Sequence, residues 1–322
     1  MTCQKTTQLT PGTLVRCEGV SLHVLRTTPP FEFRYTLRFL GGFTPAQGEQ
    51  HTAGELHKAT RLNGQTVGFV VREGSGTELT CELVPERPLT TAETTGLLER
   101  IRHFLSLDDD LKAFSALTMT DPLFRPHLEA MSGFHQPKFL TPFEVACWAV
   151  IGQRLPEAQA RNVKRALSAR YGGQWKGLPA FPEPSDLAGL AETDLLTLLP
   201  NERKARALVA VTQAFAGVST ADLMVRPTDE VQDWLLGLYG IGAWSALFIL
   251  VRGLGRYELL ADVQGGSPFL KELLNAARPV YGELTLAQLR DKSRFYGEQA
   301  GYWGIYLRSG AALARPQEEA CN

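Results

Sequence analysis

Two features in the second half of the chain could do chemistry together. They are a glycine turn, Leu238-Tyr239-Gly240-Ile241-Gly242, and a single carboxylate, Asp262, twenty residues past Gly242. Glycines in such a turn can take positive φ without a Cβ penalty, and the missing side chains leave backbone NH groups open to an anion. Ala243 to Val251 reads as a helix that starts directly from the turn. Its unpaired amino-terminal NH groups and its dipole therefore point into the same place, which suits phosphate. Ile241 can plug the groove between this helix and the preceding one, and Asp262 is the only carboxylate between Glu258 and Glu272.

Other polar groups gather at helix starts. Thr141-Pro142-Phe143-Glu144 combines an N-cap, a proline at the first helical position and a glutamate spaced to close a capping box. The helix stops at Gly152, and Gln153-Arg154-Leu155 forms an exposed corner before Pro156 opens the next helix. Residues 154–170 carry five basic residues, Arg154, Arg161, Lys164, Arg165 and Arg170, against the one acid Glu157, which gives a basic face able to lie along a groove. Arg203, Lys204 and Arg206 cluster near the start of a helix over 201–215. Thr228 reads as the cap of the first hairpin helix, with Asp229 and Glu230 in its opening turn.

The elements that must hold these groups fall into two kinds. Residues 13–84 read as an antiparallel sheet of about four to six strands. Phe31 to Phe39 alternates apolar and polar, and shorter runs at 21–26, 66–72 and 77–84 are separated by glycine-rich turns. His23, His51 and His57 lack metal-ligand spacing. From Thr91 the apolar period becomes helical, with Asp108-Asp109-Asp110 placed to oppose a helix dipole. Further helices are expected over 269–277 and 285–314, and the last residues read as a tail.

Composition sets bounds. The 322 residues are 44% hydrophobic and 21% charged, as in an ordinary soluble globular chain. No apolar run is long enough to span a bilayer, and the first residues lack the pattern of a signal peptide, so a cytoplasmic chain is expected. Five cysteines without a CxxC argue against a disulfide framework, structural zinc or an iron-sulfur cluster. The formal net charge of −1 does not advertise a nucleic-acid binder, so any such surface must be local.

VIGQR at 150–154, NERKARAL at 201–208, LYGIGAWSA at 238–246 and Asp262 together resemble the helix-hairpin-helix (HhH-GPD) DNA glycosylase superfamily, and most of all its AlkA-type alkylpurine glycosylases. The resemblance implies an α+β chain: a TBP-like antiparallel sheet domain over 1–120, then an all-helical, two-subdomain glycosylase domain over 121–314 with the hairpin at 229–251, and a tail at 315–322. It implies a monomeric, monofunctional, nucleoid-associated enzyme of base excision repair that flips bases of the 3-methyladenine type out of damaged double-stranded DNA and excises them hydrolytically. No cofactor is implied beyond a monovalent cation at the hairpin carbonyls.

By position, Asp262 matches the catalytic aspartate, and Trp244 stands where bifunctional relatives carry a nucleophilic lysine, so no Schiff base is expected. Gln153 and Arg154 match the turn that fills the gap left by a flipped nucleotide, with Arg154 and Leu155 both open as the wedge. Gly240, Ile241, Gly242, Ala243, Ser245 and Lys204 complete the expected DNA contacts. Trp244, Phe134, Trp148, Tyr239 and Trp303, with Tyr302, are expected to supply aromatic faces to a cationic base. The alternatives are a non-catalytic hairpin protein that binds DNA damage, or a glycosylase for deaminated or oxidised bases.

Overall fold

The computed structural model describes residues 19–261 and 269–313. Asp262, the expected turn at 265–268, the expected tail, and Cys3, Cys17 and Cys321 lie outside them.

The amino-terminal part is a five-stranded antiparallel sheet with helices on one face. Strand β1 (Ser21–Arg26) is followed by α1 (Phe33–Gly41), β2 (Gln50–His51), β3 (Leu56–Leu62), β4 (Gln65–Glu73), β5 (Glu78–Pro85) and α2 (Thr91–Phe104), and the strand order is β1-β5-β4-β3-β2. Val67, Phe69 and Val71 of β4 face Leu97, Ile101 and Phe104 of α2 in one core. The opposite face of β4 is covered too, which explains its nearly unbroken apolar run. A Cβ on Gly68 would lie 2.1 Å from the Trp175 ring. The α2 start is a complete capping box between Thr90 and Glu93.

Helix α1 corrects the strand expected over Phe31 to Phe39. The same alternation also satisfies a helix packed on two sides: Phe33 and Leu40 enter the sheet core, while Tyr35 and Phe39 pack against a helical core. A period-two reading cannot distinguish one wet face from two separate apolar stripes.

The helices continue with α3 (Lys112–Thr118), α4 (Arg125–Glu129), α5 (Pro142–Ile151) and α6 (Glu157–Tyr171). A small hairpin, β6 (Gly173–Trp175) and β7 (Leu178–Ala180), returns to the sheet. Then come α7 (Pro184–Leu187), α8 (Glu192–Leu196), α9 (Glu202–Ala216), α10 (Thr220–Val225), α11 (Thr228–Leu236), α12 (Ala243–Leu254), α13 (Leu270–Tyr281), α14 (Leu286–Tyr296) and α15 (Ala300–Leu313). The helix expected over 285–314 is thus two, divided at Gly297, whose φ is +50°. Thr228 is the first residue of α11 rather than its cap, and its hydroxyl meets Glu258.

Two helical cores result, and α12 belongs to both. Ala246, Ile249, Leu250 and Leu254 pack with α5, α9 and α11, whereas Leu247 and Val251 pack with α13 and α15. No helix among the described residues is long and apolar enough to cross a membrane.

The sheet and the first helical core are joined through buried charge. Lys164 of α6 donates to Glu49 and Glu144, both at 2.7 Å, and to the Pro45 carbonyl at 3.1 Å. This corrects two expectations. Lys164 is fully buried and leaves the basic surface, and Glu144 does not close a capping box, although Thr141 Oγ1 does accept its backbone NH. Burial alone would raise the Glu144 carboxyl, but the charges of Lys164 and Lys58 and the Lys164 hydrogen bond hold it below the ordinary value of 4.5. A depressed carboxylate contributes stability that is present above its unfolded value and lost as pH falls through the folded one.

Lys164→Met should therefore destabilise the protein by about 3–5 kcal/mol near neutral pH, because two buried carboxylates lose their partner. In urea melts the deficit should shrink towards pH 5, where a carboxylate can protonate, while the wild type holds its stability until below the carboxylate range.

Candidate functional site

The turn between α11 and α12 is built by glycine. Gly240 has φ +85°, and a Cβ there would come within 2.4 Å of Ala207 Cβ on α9, so the hairpin backbone lies directly against that helix. The Ile241 amide donates to the Leu238 carbonyl at 3.1 Å, and Ile241 is buried in the first helical core as the expected plug. Gly242 differs, since a Cβ on it would meet nothing within 4 Å. No side chain caps α12, and Gly242, Ala243 and Trp244 are exposed. The first-turn NH groups of this helix thus open onto solvent beside a residue with no side chain, a geometry suited to a phosphate.

The α5–α6 corner docks on this turn. Gln153 Nε2 donates to the Gly240 carbonyl at 2.8 Å and lies 3.4 Å from Ser245 Oγ. Arg154 is exposed with φ +51°, and Leu155 packs against the first helical core. Ser245 is buried, and its hydroxyl lies beneath the corner. Lys204 is also corrected: its ammonium donates to the Ile151 carbonyl at 2.8 Å, and burial lowers its pKa. It ties α9 to the end of α5. On α9 the cations left at the surface are Arg203 and Arg206, both exposed. Arg206 lies 4.4 Å above the Tyr239 ring, which places Tyr239 on the outer side of the hairpin. Helical spacing in NERKARAL could have separated these two from the inward Lys204.

Of the expected aromatic faces, Trp244 is presented openly. It is 43% exposed, stacks on Phe248 with ring centres 5.0 Å apart, and meets the edge of Phe269. Phe134, Trp148 and Trp303 are corrections, because all three are packed into the cores. Trp303 stacks on Tyr296 and donates its indole NH to the Tyr281 hydroxyl, and Phe134 sits between Phe39 and Tyr306. Tyr302 donates to Asp109, so Asp109 braces α15 while Asp110 accepts the Lys112 amide at the start of α3.

Below Trp244 and Phe248, one further turn along the same face of α12, Arg252 is buried with its guanidinium 5.2 and 4.9 Å from the Phe39 and Phe43 rings. Burial pushes it down to about 10, so it stays charged at neutral pH, and its Nη2 has no hydrogen-bond partner among the described residues. The chain leaving α12 is pressed onto α15: a Cβ on Gly301 would lie 2.6 Å from the Tyr257 carbonyl carbon. That contact sets the last described turn before Asp262. Among the described residues no group of three or more His, Cys, Asp or Glu could hold a metal ion.

With this geometry in hand, comparison with known proteins gives a consistent result. Residues 23–140 match the AlkA N-terminal domain family. A DNA-3-methyladenine glycosylase of Bacillus subtilis is 26% identical over 172 residues, 52% of this chain and 57% of that protein. The chain spans about half the length of the curated relatives it matches. The solved 3-methyladenine DNA glycosylase from Archaeoglobus fulgidus superposes with a TM-score of 0.67 at 19% identity, covering 89% of this chain and 97% of that one. MBOgg1, solved in complex with a low-affinity DNA ligand, gives 0.63 at 16% identity, covering 94% and 99%. The fold is the one these two solved proteins share. Residues 23–140 are similar to the AlkA N-terminal domain, and about half of the chain is similar to a protein named as a DNA-3-methyladenine glycosylase.

The two hairpin glycines should separate cleanly on substitution. Gly240→Ala, strained in φ and clashing with Ala207, should cost about 1–3 kcal/mol and lower the melting temperature. Gly242→Ala should leave melting nearly unchanged yet weaken duplex binding in fluorescence anisotropy, since its methyl would occupy the space offered to phosphate.

Proposed function

We propose that the protein is a monofunctional DNA glycosylase that flips alkylated bases of the 3-methyladenine type out of duplex DNA and hydrolyses their glycosidic bond. The observation that carries this reading is the convergence of three distant segments: the corner at 153–155, the start of α9 and the uncapped hairpin. The hydrogen bond from Gln153 to Gly240 joins the corner to the hairpin, and the Gly240–Ala207 approach and the Lys204 bond to the Ile151 carbonyl seat both on α9. A glycosidic bond inside a duplex is out of reach, so the nucleotide has to leave the stack while the protein holds the backbone and the vacated space. The hairpin supplies the first grip and the corner the second.

Trp244 and Phe248 offer an aromatic face to the extruded base, and a cationic alkylated base gains from it. Such a base leaves readily, so the remaining task is to stabilise an oxocarbenium-like sugar while water attacks. We assign that to Asp262, whose carboxylate acts electrostatically. Trp244 cannot form an imine, so turnover ends at an abasic site with the strand intact. The MBOgg1 neighbour, solved in complex with a DNA ligand, supports DNA as the partner.

Base release from methylated duplex DNA, resolved by product, tests the reading. The wild type should free 3-methyladenine, and Asp262→Asn should lower the rate by roughly a hundredfold or more while keeping duplex affinity. Borohydride should trap no covalent complex. Intact duplex binding with no base released by the wild type would favour a damage-binding protein instead.

A further inference from the structure

A cleft of about 430 Å³ lies where the sheet meets the first helical core, towards the ends of α5 and α9 that are remote from the corner and the hairpin seat. Its volume is in the range that holds a small organic molecule. Asn63, Ser185, Ser219 and Thr220 are exposed at its mouth, whereas Lys58 and Glu144 are buried at its floor. One wall is aromatic: the Phe143 ring centre lies 6.1 Å from that of Phe181 and 5.7 Å from that of Phe215. Facing it is β3, which carries Lys58.

The charges around the cleft are answered within the protein, with one exception. Glu49 and Glu144 each accept from Lys164 at 2.7 Å, and Arg61 and Arg100 at the rim are paired with Asp186 and Glu183. Lys58 is 4% exposed and has no hydrogen-bond partner among the described residues. The carboxylate oxygen that comes within 4.0 Å of it, on Glu49, is the one already bonded to Lys164. A buried ammonium costs free energy unless it is both paired and hydrogen-bonded. Burial accordingly lowers the Lys58 pKa, against the opposing pull of Glu144 and Glu49.

We propose that this cleft binds a small planar aromatic carboxylate, whose carboxylate accepts hydrogen bonds from Lys58 while its ring lies against Phe143, Phe181 and Phe215. An added anion completes the one pair that the protein leaves open, and a cation would find every carboxylate here already engaged. The ring gains by leaving water for an aromatic wall. Because such a ligand touches β3 on one side and α5 and α9 on the other, its binding also holds the sheet to the helical core.

Isothermal titration calorimetry of the full chain with 2-naphthoate and its neutral isostere 2-naphthamide tests the assignment. The wild type should bind the acid roughly ten- to a hundredfold more tightly than the amide, the ratio expected of a charge-assisted hydrogen bond, and the acid should raise the melting temperature. Lys58→Met removes the ammonium and should abolish that preference. Ala216 is exposed at the mouth, at the end of α9, so Ala216→Trp leaves the buried charges untouched and should weaken both ligands severalfold by filling the entrance. If Lys58→Met melts far below the wild type, the mouth variant decides alone. No saturable binding of 2-naphthoate, an acid preference that survives in a folded Lys58→Met, or affinities unchanged in Ala216→Trp would overturn the proposal. None of these readouts involves DNA, so they stand apart from the base-release assay.

Discussion

The close approach of Gly240 to Ala207 is the constraint on which the rest of the site depends. A hairpin loop is ordinarily free to sit anywhere its flanking helices allow, but here its backbone lies where no β-carbon fits. That contact brings the Gly240 carbonyl within reach of Gln153 and registers α5, α9 and α12 against one another. With the turn seated, the NH groups of α12 and the apex at Arg154 take up a fixed separation, and that separation is what a kinked duplex would have to match. Recognition of a backbone depends on such spacing more than on the strength of any single contact.

Helix α12 extends the constraint inward. Because its residues alternate between two helical cores, it cannot turn or slide without disturbing packing on both sides, and packed interiors resist such strain. Trp244, Phe248 and Arg252 are therefore carried on a rigid rod. Among the described residues the Nη2 of Arg252 is a buried donor without an acceptor. Such a donor costs free energy, and here the cost falls beneath the solvent-exposed Trp244–Phe248 stack.

The hairpin and the corner were legible because their signals are local: glycines in a turn and a polar break between two helices. Much of the fold was legible for the same reason, as β1 at the run expected over 21–26 and α2 at the helical period expected from Thr91 show. What was not legible depended on tertiary direction. Helix α1 looked like a strand because its two apolar stripes serve two different cores. Lys204 and Lys164 looked like surface cations, and nothing in their neighbourhoods announced the carbonyl and the carboxylates that draw them inward. Trp303 and Phe134 share their chemistry with pocket-lining residues, and only packing distinguishes the two roles.

The inward turn of the lysines bears on the puzzle of charge. A chain of net charge −1 gains little long-range attraction to DNA. Its lysines are spent on architecture: Lys58, Lys138, Lys164 and Lys204 are all buried, and three of them neutralise or cap acceptors at junctions between elements. The exposed cations around the site are instead arginines, Arg154, Arg203 and Arg206, whose planar forks confer geometric selectivity along with charge. On the proposed function, an interface resting on these few arginines would owe little of its affinity to counterion release. It would draw on the energy of a deformed duplex, which an intact base pair resists and a weakened one yields, so the same economy of charge that weakens general DNA binding would sharpen discrimination in favour of damage.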